Sequence, residues 1–216
     1  MKLLNSLGPN PRIVRMFAAE KGMELDLEEV DLLGGENRQD AFLQKNPSGQ
    51  LPTLVLDDGT CVSEVTAICE YLEETQPSPS LVGATAEERA ETRMWTRKLD
   101  LAIAEPMANG FRFAEGIDLF KNRLRVIPQA ADDLKATAQD GLGKLDGWID
   151  GKQFICGDRF TLADVLLFGM LDFFDSMGQA IDPAHANAAA WFERVGSRPS
   201  AEKSLHAMAA AAGMRG

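Results

Sequence analysis

Three short segments carry residue types that could do chemistry, and all three read as places where the backbone changes element. Gln50-Leu51-Pro52-Thr53-Leu54 puts a proline directly before a β-rich run. A proline there has no N–H for a sheet ladder, so it belongs at a strand start or bulge. In the cis form it would turn the Leu51 backbone outward, offering an N–H and a C=O to a peptide-like ligand. Ser63-Glu64-Val65-Thr66-Ala67-Ile68 is a polar entry onto an amphipathic helix. The first N–H groups of such a helix lack partners and carry the positive end of its dipole, a site for a carboxylate, while Glu64 can take an ammonium group. One anion-binding and one cation-binding element side by side suit an amino-acid zwitterion. The plainer reading is that Ser63 caps the helix and Glu64 complements its dipole. In Asn5-Ser6-Leu7-Gly8-Pro9-Asn10-Pro11-Arg12 a strand hands over to the first helix, with Asn10 read as the N-cap and Pro11 as the first helical residue. Side-chain donors at such a position stabilise an anion, a thiolate included.

The elements that must position these segments alternate along the first third. Lys2-Leu3-Leu4 is a short apolar opening. Ile13, Met16 and Phe17 then mark a helix ending at Gly22, and Leu25 to Leu27 alternates as a strand. Residues 36 to 44 are weakly helical. Two β-rich runs flank Asp57-Asp58-Gly59, a hairpin signal, and Val65, Ile68, Cys69 and Leu72 share one helical face. The order predicted is β-α-β-α-β-β-α. Gln76-Pro77-Ser78-Pro79-Ser80 breaks all periodicity and reads as a linker, separating a domain of residues 1–78 from an all-α domain of residues 84–216. There, helices are expected over 86–113 with a kink at Pro106, over 129–150, 184–195 and 200–212, and a fully buried one over 162–174.

Composition limits the function classes. The 216 residues hold 33 acidic against 22 basic side chains, a net charge of -11, which disfavours a phosphate backbone as partner. Two His and three scattered Cys exclude a His-rich metal centre, a zinc ribbon and a dense disulfide scaffold. An odd number of free thiols fits a reducing compartment, the opening residues lack a signal-peptide pattern, and no apolar run has membrane-spanning length. A cytoplasmic protein without nucleic-acid or membrane partners is expected. Gly141-Leu142-Gly143-Lys144-Leu145-Asp146-Gly147 misses the dinucleotide-binding spacing and follows no strand. His185 and His206 offer no support for a Ser-His-Asp hydrolase.

Together these segments resemble the cytosolic glutathione transferase family over the whole chain. Asn46-Pro47 with Gln50-Leu51-Pro52-Thr53-Leu54 looks like its cis-proline loop, and Glu64 with Ala67-Ile68 and Tyr71-Leu72 like its γ-glutamyl-binding segment. Phe160-Thr161-Leu162-Ala163-Asp164-Val165 looks like its C-domain capping element, where Thr161 and Asp164 form a capping box and Phe160 can staple against Val165. That motif folds a helix, so Asp164 stays outside the site. The resemblance implies a thioredoxin-like domain followed by a helical domain, a homodimer, and detoxifying transfer of glutathione to a small hydrophobic electrophile. Glutathione is then a co-substrate, with no permanently bound cofactor and no metal. Leu51, presented by Pro52, would hold the cysteinyl moiety; Glu64 the γ-glutamyl amine; the helix start at Val65, helped by Thr66, its carboxylate. Gln50, with Lys45 or Arg38, would reach the glycyl carboxylate. The catalytic donor would be Asn10, with Ser6 as the alternative, and Met107, Phe111 and Phe113 would line an apolar co-substrate pocket.

Two departures from the family pattern matter. Val65 stands where the family has Ser, removing a hydroxyl contact. No Tyr, Ser or Cys stands at the catalytic position, and an Asn amide donates a hydrogen bond without serving as a base. Glutathione-dependent disulfide or peroxide reduction and a non-catalytic binding module are therefore the rival readings.

Overall fold

The computed structural model describes all 216 residues, in two compact units: Met1–Val82 together with Arg198–Gly216, and Gly83–Ser197. The boundary at Val82 follows the expected linker. The far end differs from the expected domain of residues 84–216, because residues 198–216 return to the first unit.

The first unit contains β1 (Lys2–Asn5), α1 (Pro9–Glu20), β2 (Asp26–Glu29), α2 (Asp40–Leu43), β3 (Thr53–Val55), β4 (Cys61–Ser63) and α3 (Val65–Thr75), in the order predicted. The sheet order is β2-β1-β3-β4, with β1 and β2 parallel and both later pairings antiparallel. A parallel pair needs a crossover, which α1 supplies. The β3–β4 hairpin closes through Asp57-Asp58-Gly59, with Gly59 at φ 87 and the Leu56 N–H donating to the Thr60 carbonyl at 2.8 Å. Successive strand residues point to opposite faces. Leu4 joins Val30, Phe42 and Leu51 in one cluster, while Leu3 and its register partner Leu54 are fully buried. β2 is an edge strand, and its Leu27 stays 43% exposed.

Beyond α3 the chain is pinned by a buried ion pair. Lys21 donates to Glu73 at 2.6 Å and to the Pro79 carbonyl at 2.7 Å, and Glu73 accepts from the amides of Leu81 and Val82. Burial alone would raise the Glu73 carboxyl, but its bonds from Lys21, Val82 and Leu81 outweigh that and hold it below the usual range.

The second unit is all-helical: α4 (Ala86–Leu99), α5 (Glu105–Phe113), α6 (Ile117–Phe120), α7 (Ala131–Trp148), α8 (Leu162–Ser176) and α9 (Ala186–Gly196). Between α4 and α5 the helix is π-wound at Asp100–Ala104, and Pro106, which has no N–H to give the ladder, follows as the second residue of α5. Gly141 in α7 explains part of the glycine-rich stretch: a Cβ there would lie 2.5 Å from the Ala102 carbonyl, so the two segments need a glycine to approach. α8 is buried from Leu162 through Phe174, as its sequence predicts, and starts from the Thr161–Asp164 capping box. Phe160 meets Phe154 edge-on, with ring centroids 5.3 Å apart. The predicted helix at 200–212 is two short ones in the first unit, α10 (Pro199–Lys203) and α11 (Ala209–Ala212).

Candidate functional site

Strand register brings the three chemical segments together. Leu4 of β1 pairs with Thr53 of β3, and Thr53 pairs with Ser63 of β4. Because β3 runs against both neighbours, the end of β1, the start of β3 and the end of β4 lie at one end of the sheet. Ser6–Asn10, Gln50–Pro52 and Glu64–Thr66 therefore emerge side by side from adjacent strands.

Each segment leaves backbone groups open. The Leu51–Pro52 peptide is cis, and neither the amide nor the carbonyl of Leu51 makes a hydrogen bond in the chain. The loop before it is fixed. Asn46 donates to the Gln50 carbonyl at 2.8 Å and to Thr53 Oγ1 at 3.1 Å, and Asn37 donates to the Gly49 carbonyl at 2.6 Å. Gly49 sits at φ 64 with Asn37 and Arg38 within 3 Å of where a Cβ would stand, so only glycine fits that turn.

At the start of α3 the N-cap is Glu64, one residue later than the expected Ser63, and no side chain caps the helix. The ladder begins with the Ile68 N–H donating to the Glu64 carbonyl at 2.9 Å. The N–H groups of Val65, Thr66 and Ala67 precede that bond and point out of the helix end. Glu64, at φ 72, is the only non-glycine residue with positive φ, a strained conformation of the kind that clusters at binding sites. Its side chain is exposed.

The first loop corrects another expectation. Helix α1 starts at Pro9 with Gly8 as N-cap at φ 145, so Asn10 is the second helical residue and no cap. A proline ring is already set for the first helical position, which favours the earlier start. Pro9 and Pro11 have no N–H, and the Arg12 N–H returns to the Gly8 carbonyl. The one open backbone donor of this turn is therefore the Asn10 amide, beside a half-buried Asn10 carboxamide with no partner in the chain. Ser6 is 4% exposed, and its hydroxyl likewise has no partner.

The remaining candidates are less well gathered. Arg38 is exposed and reaches the Ser48 carbonyl at 3.3 Å, beside the Gly49–Gln50 turn. Exposed Gln50 makes no side-chain hydrogen bond. Lys45 points elsewhere: it pairs with Glu28 at 3.9 Å in a depression it shares with Met1, Lys2 and Asp57, where β1 begins. Met107 is 1% and Phe113 9% exposed, so both are interior residues of the helical unit, while the half-buried Phe111 ring meets Phe120, Phe173 and Phe174. No group of three or more His, Cys, Asp or Glu is placed to hold a metal, and no helix is long and apolar enough to cross a membrane. Sequence reasoning passed over Arg12 and Arg15, both in the interior. The signal was there: two charges three apart on a helix whose neighbours Ile13 and Met16 mark the apolar stripe.

A thioredoxin-like domain with an all-helical domain after it is the architecture these elements define, and the comparisons give its family. Residues 8–75 match the family model "Glutathione S-transferase, N-terminal domain", and residues 125–199 match "Glutathione S-transferase, C-terminal domain". Glutathione S-transferase 2 of Saccharomyces cerevisiae is 30% identical, over 92% of this chain and 86% of its own length. The crystal structure of Gtt2 from Saccharomyces cerevisiae superposes with a TM-score of 0.88 at 30% identity, covering 95% of this chain and all (100%) of that one. A glutathione S-transferase domain-containing protein of Marinobacter aquaeolei VT8 gives 0.86 at 35% identity, covering 93% and 99%. The chain belongs to the glutathione S-transferase family.

Proposed function

We propose that the chain is a glutathione transferase that binds glutathione along the open end of its sheet and adds the glutathione sulfur to a small hydrophobic electrophile. The observation that carries the reading is the pair of unpartnered backbone sites on neighbouring strands, Leu51 and the uncapped start of α3. An extended γ-glutamyl peptide has the complementary groups. Leu51, set by Pro52, pairs with the cysteinyl backbone; the amides of Val65 and Thr66 take the γ-glutamyl carboxylate and Glu64 the amine. Gln50 and Arg38 face the glycyl carboxylate, and Lys45 joins them only by leaving Glu28. The thiol then lies toward Ser6–Asn10. There the Asn10 carboxamide, the Asn10 amide and the Ser6 hydroxyl are donors free to stabilise a thiolate.

Chemistry follows from that anion. The thiol loses its proton to solvent, its sulfur attacks the electrophilic carbon, a C–S bond forms and the leaving group departs with the bonding electrons. The protein holds the sulfur in place and favours its charge, so the rate comes from position and electrostatics. The half-buried Phe111 of the amphipathic α5 supports a hydrophobic acceptor. Cytoplasmic location and a homodimer complete the proposal, and gel filtration tests the latter.

Disulfide reduction by the same site would require glutathione to supply the attacking sulfur, since Cys69 and Cys156 are buried and the half-buried Cys61 begins β4, at the far end of that strand from Glu64. Steady-state rates with an aryl halide and with a mixed disulfide separate the two reactions. The expected result is thioether formation from the halide that saturates in glutathione. Turnover of the disulfide alone would replace transfer by reduction, and no turnover with no glutathione binding would leave an interaction module.

A further inference from the structure

The three carbonyls that lead up to Leu51 are each taken by a side chain from the preceding segment. The Ser48 carbonyl accepts from Arg38 Nη1 at 3.3 Å, the Gly49 carbonyl from Asn37 Nδ2 at 2.6 Å and the Gln50 carbonyl from Asn46 Nδ2 at 2.8 Å. Asn46 is 3% exposed and its carboxamide is fully used. Its Nδ2 also reaches Thr53 Oγ1 at 3.1 Å, and its Oδ1 accepts from the Ser48 amide at 3.1 Å and the Ser48 hydroxyl at 2.7 Å. The series stops at Leu51, whose amide and carbonyl stay open.

Leu51 is held from its other side as well. Its side chain is buried and packs with Leu4, Val30 and Phe42. The side chain is anchored in the core, the carbonyls before it are bonded, and the ring of Pro52 fixes the φ that follows. The Leu51 peptide groups therefore have a set direction before any ligand arrives, and a ligand that pairs with them has little chain ordering to offset.

Stability alone does not account for this bracing. Asn37 is 1% exposed, and its Oδ1 is buried without a partner. An acceptor buried unpaired costs about as much as one neutral hydrogen bond contributes, or more, so the bond to Gly49 does not offset the burial of this side chain. What that bond does is orient the Gly49 peptide, at the glycine-only turn of φ 64 from which Gln50 and Leu51 lead into β3.

We propose that Asn37 and Asn46 are positioning residues for glutathione, holding the Gly49 and Gln50 carbonyls so that the Leu51 backbone meets the cysteinyl backbone of the ligand without rearrangement. This rests on the glutathione reading of the site. The two carboxamides act on affinity through Leu51 and leave ionisation of the thiol to the Ser6–Asn10 loop.

The test compares native protein, Asn37→Leu and Asn46→Ala in calorimetric binding of glutathione and of its depsipeptide analogue, in which an ester oxygen replaces the cysteinyl N–H. The analogue keeps the shape of glutathione but has no donor for the Leu51 carbonyl. Each variant raises Kd for glutathione by about tenfold. It raises Kd for the analogue by about threefold or less, because one of the bonds that the variant misplaces is already missing. With an aryl halide, KM for glutathione rises in step with Kd. The kcat at saturating glutathione stays within about twofold, and the pKa of the bound thiol within a few tenths of a unit. Equal losses for both ligands, or a fall in kcat that matches the loss in kcat/KM, overturns the positioning role. If Asn46→Ala does not fold, Asn37→Leu, which also removes the unpaired acceptor, decides alone. Variants that bind glutathione as tightly as native protein overturn this inference and leave the function standing. Native protein that binds no glutathione overturns the function first and this inference with it.

Discussion

Two helix N-termini, one in each unit, are treated in opposite ways. At the start of α8 the cap is supplied from within the chain, by the Thr161–Asp164 box. Asp164 accepts from the Thr161 amide at 2.9 Å, from the Ile155 amide at 2.9 Å and from Trp191 Nε1 at 2.9 Å, and Thr161 caps in return. At the start of α3 no side chain caps, and the residue at the cap position is held at positive φ. A helix end closed by its own sequence stabilises the fold, and one left open keeps its dipole and its N–H groups for a ligand.

Breaking the closed end has the largest expected effect. Asp164→Ala leaves buried donors of Thr161, Ile155 and Trp191 without an acceptor, costing about 3–5 kcal/mol of stability, while the fraction that stays folded keeps its glutathione affinity. Denaturant midpoints and calorimetric binding read both; lost binding with unchanged stability would reverse the contrast. The mirror experiment is Glu64→Gly. Glycine adopts φ 72 without strain but has more freedom to lose, so stability stays within about 1 kcal/mol. Loss of the charged contact weakens glutathione binding by at least about tenfold. Unchanged affinity would remove Glu64 from the site.

Val65→Ser sharpens the comparison by adding a hydroxyl beside the open amides. It tightens glutathione binding by about threefold to tenfold in calorimetry, and no gain would mean the ligand carboxylate sits elsewhere. Least in size is the response to acid at the other end of α3, where Glu73 is held below the usual carboxylate range despite its burial. The unfolded chain takes up that proton at a higher pH than the folded one. The stability this pair contributes is therefore complete above the unfolded value of about 4.3 and is lost as pH falls through the folded value. Denaturant midpoints should decline below about pH 4, and Glu73→Gln should flatten that decline.

What could be read without coordinates was mostly local. The Thr161–Asp164 box lies within one helical turn, and the hairpin at Asp57-Asp58-Gly59 and the proline before β3 announce themselves by residue type. Register is less local: that three loops meet at one sheet end follows from the pairings of β1, β3 and β4, which the order of elements does not give. Caps were misplaced by one residue at Glu64 and by two at Asn10. In both cases the backbone is set by what surrounds it, a strained turn in one and a proline-led start in the other. Nothing in the segment of Lys45 signals its partner Glu28, on a strand earlier in the chain. The return of residues 198–216 was least legible. Arg12 and Arg15 bond to carbonyls 189 to 203 residues away, and a carbonyl belongs to every residue type.

The central claim is that the open end of the sheet binds glutathione and ionises its thiol. It is tested most directly by following thiolate absorbance of glutathione on the native protein as pH is raised. A bound thiol that ionises at least about one unit below the free value near 8.5 is the predicted result. Glutathione that does not bind, or binds and ionises at its free value, would contradict the account.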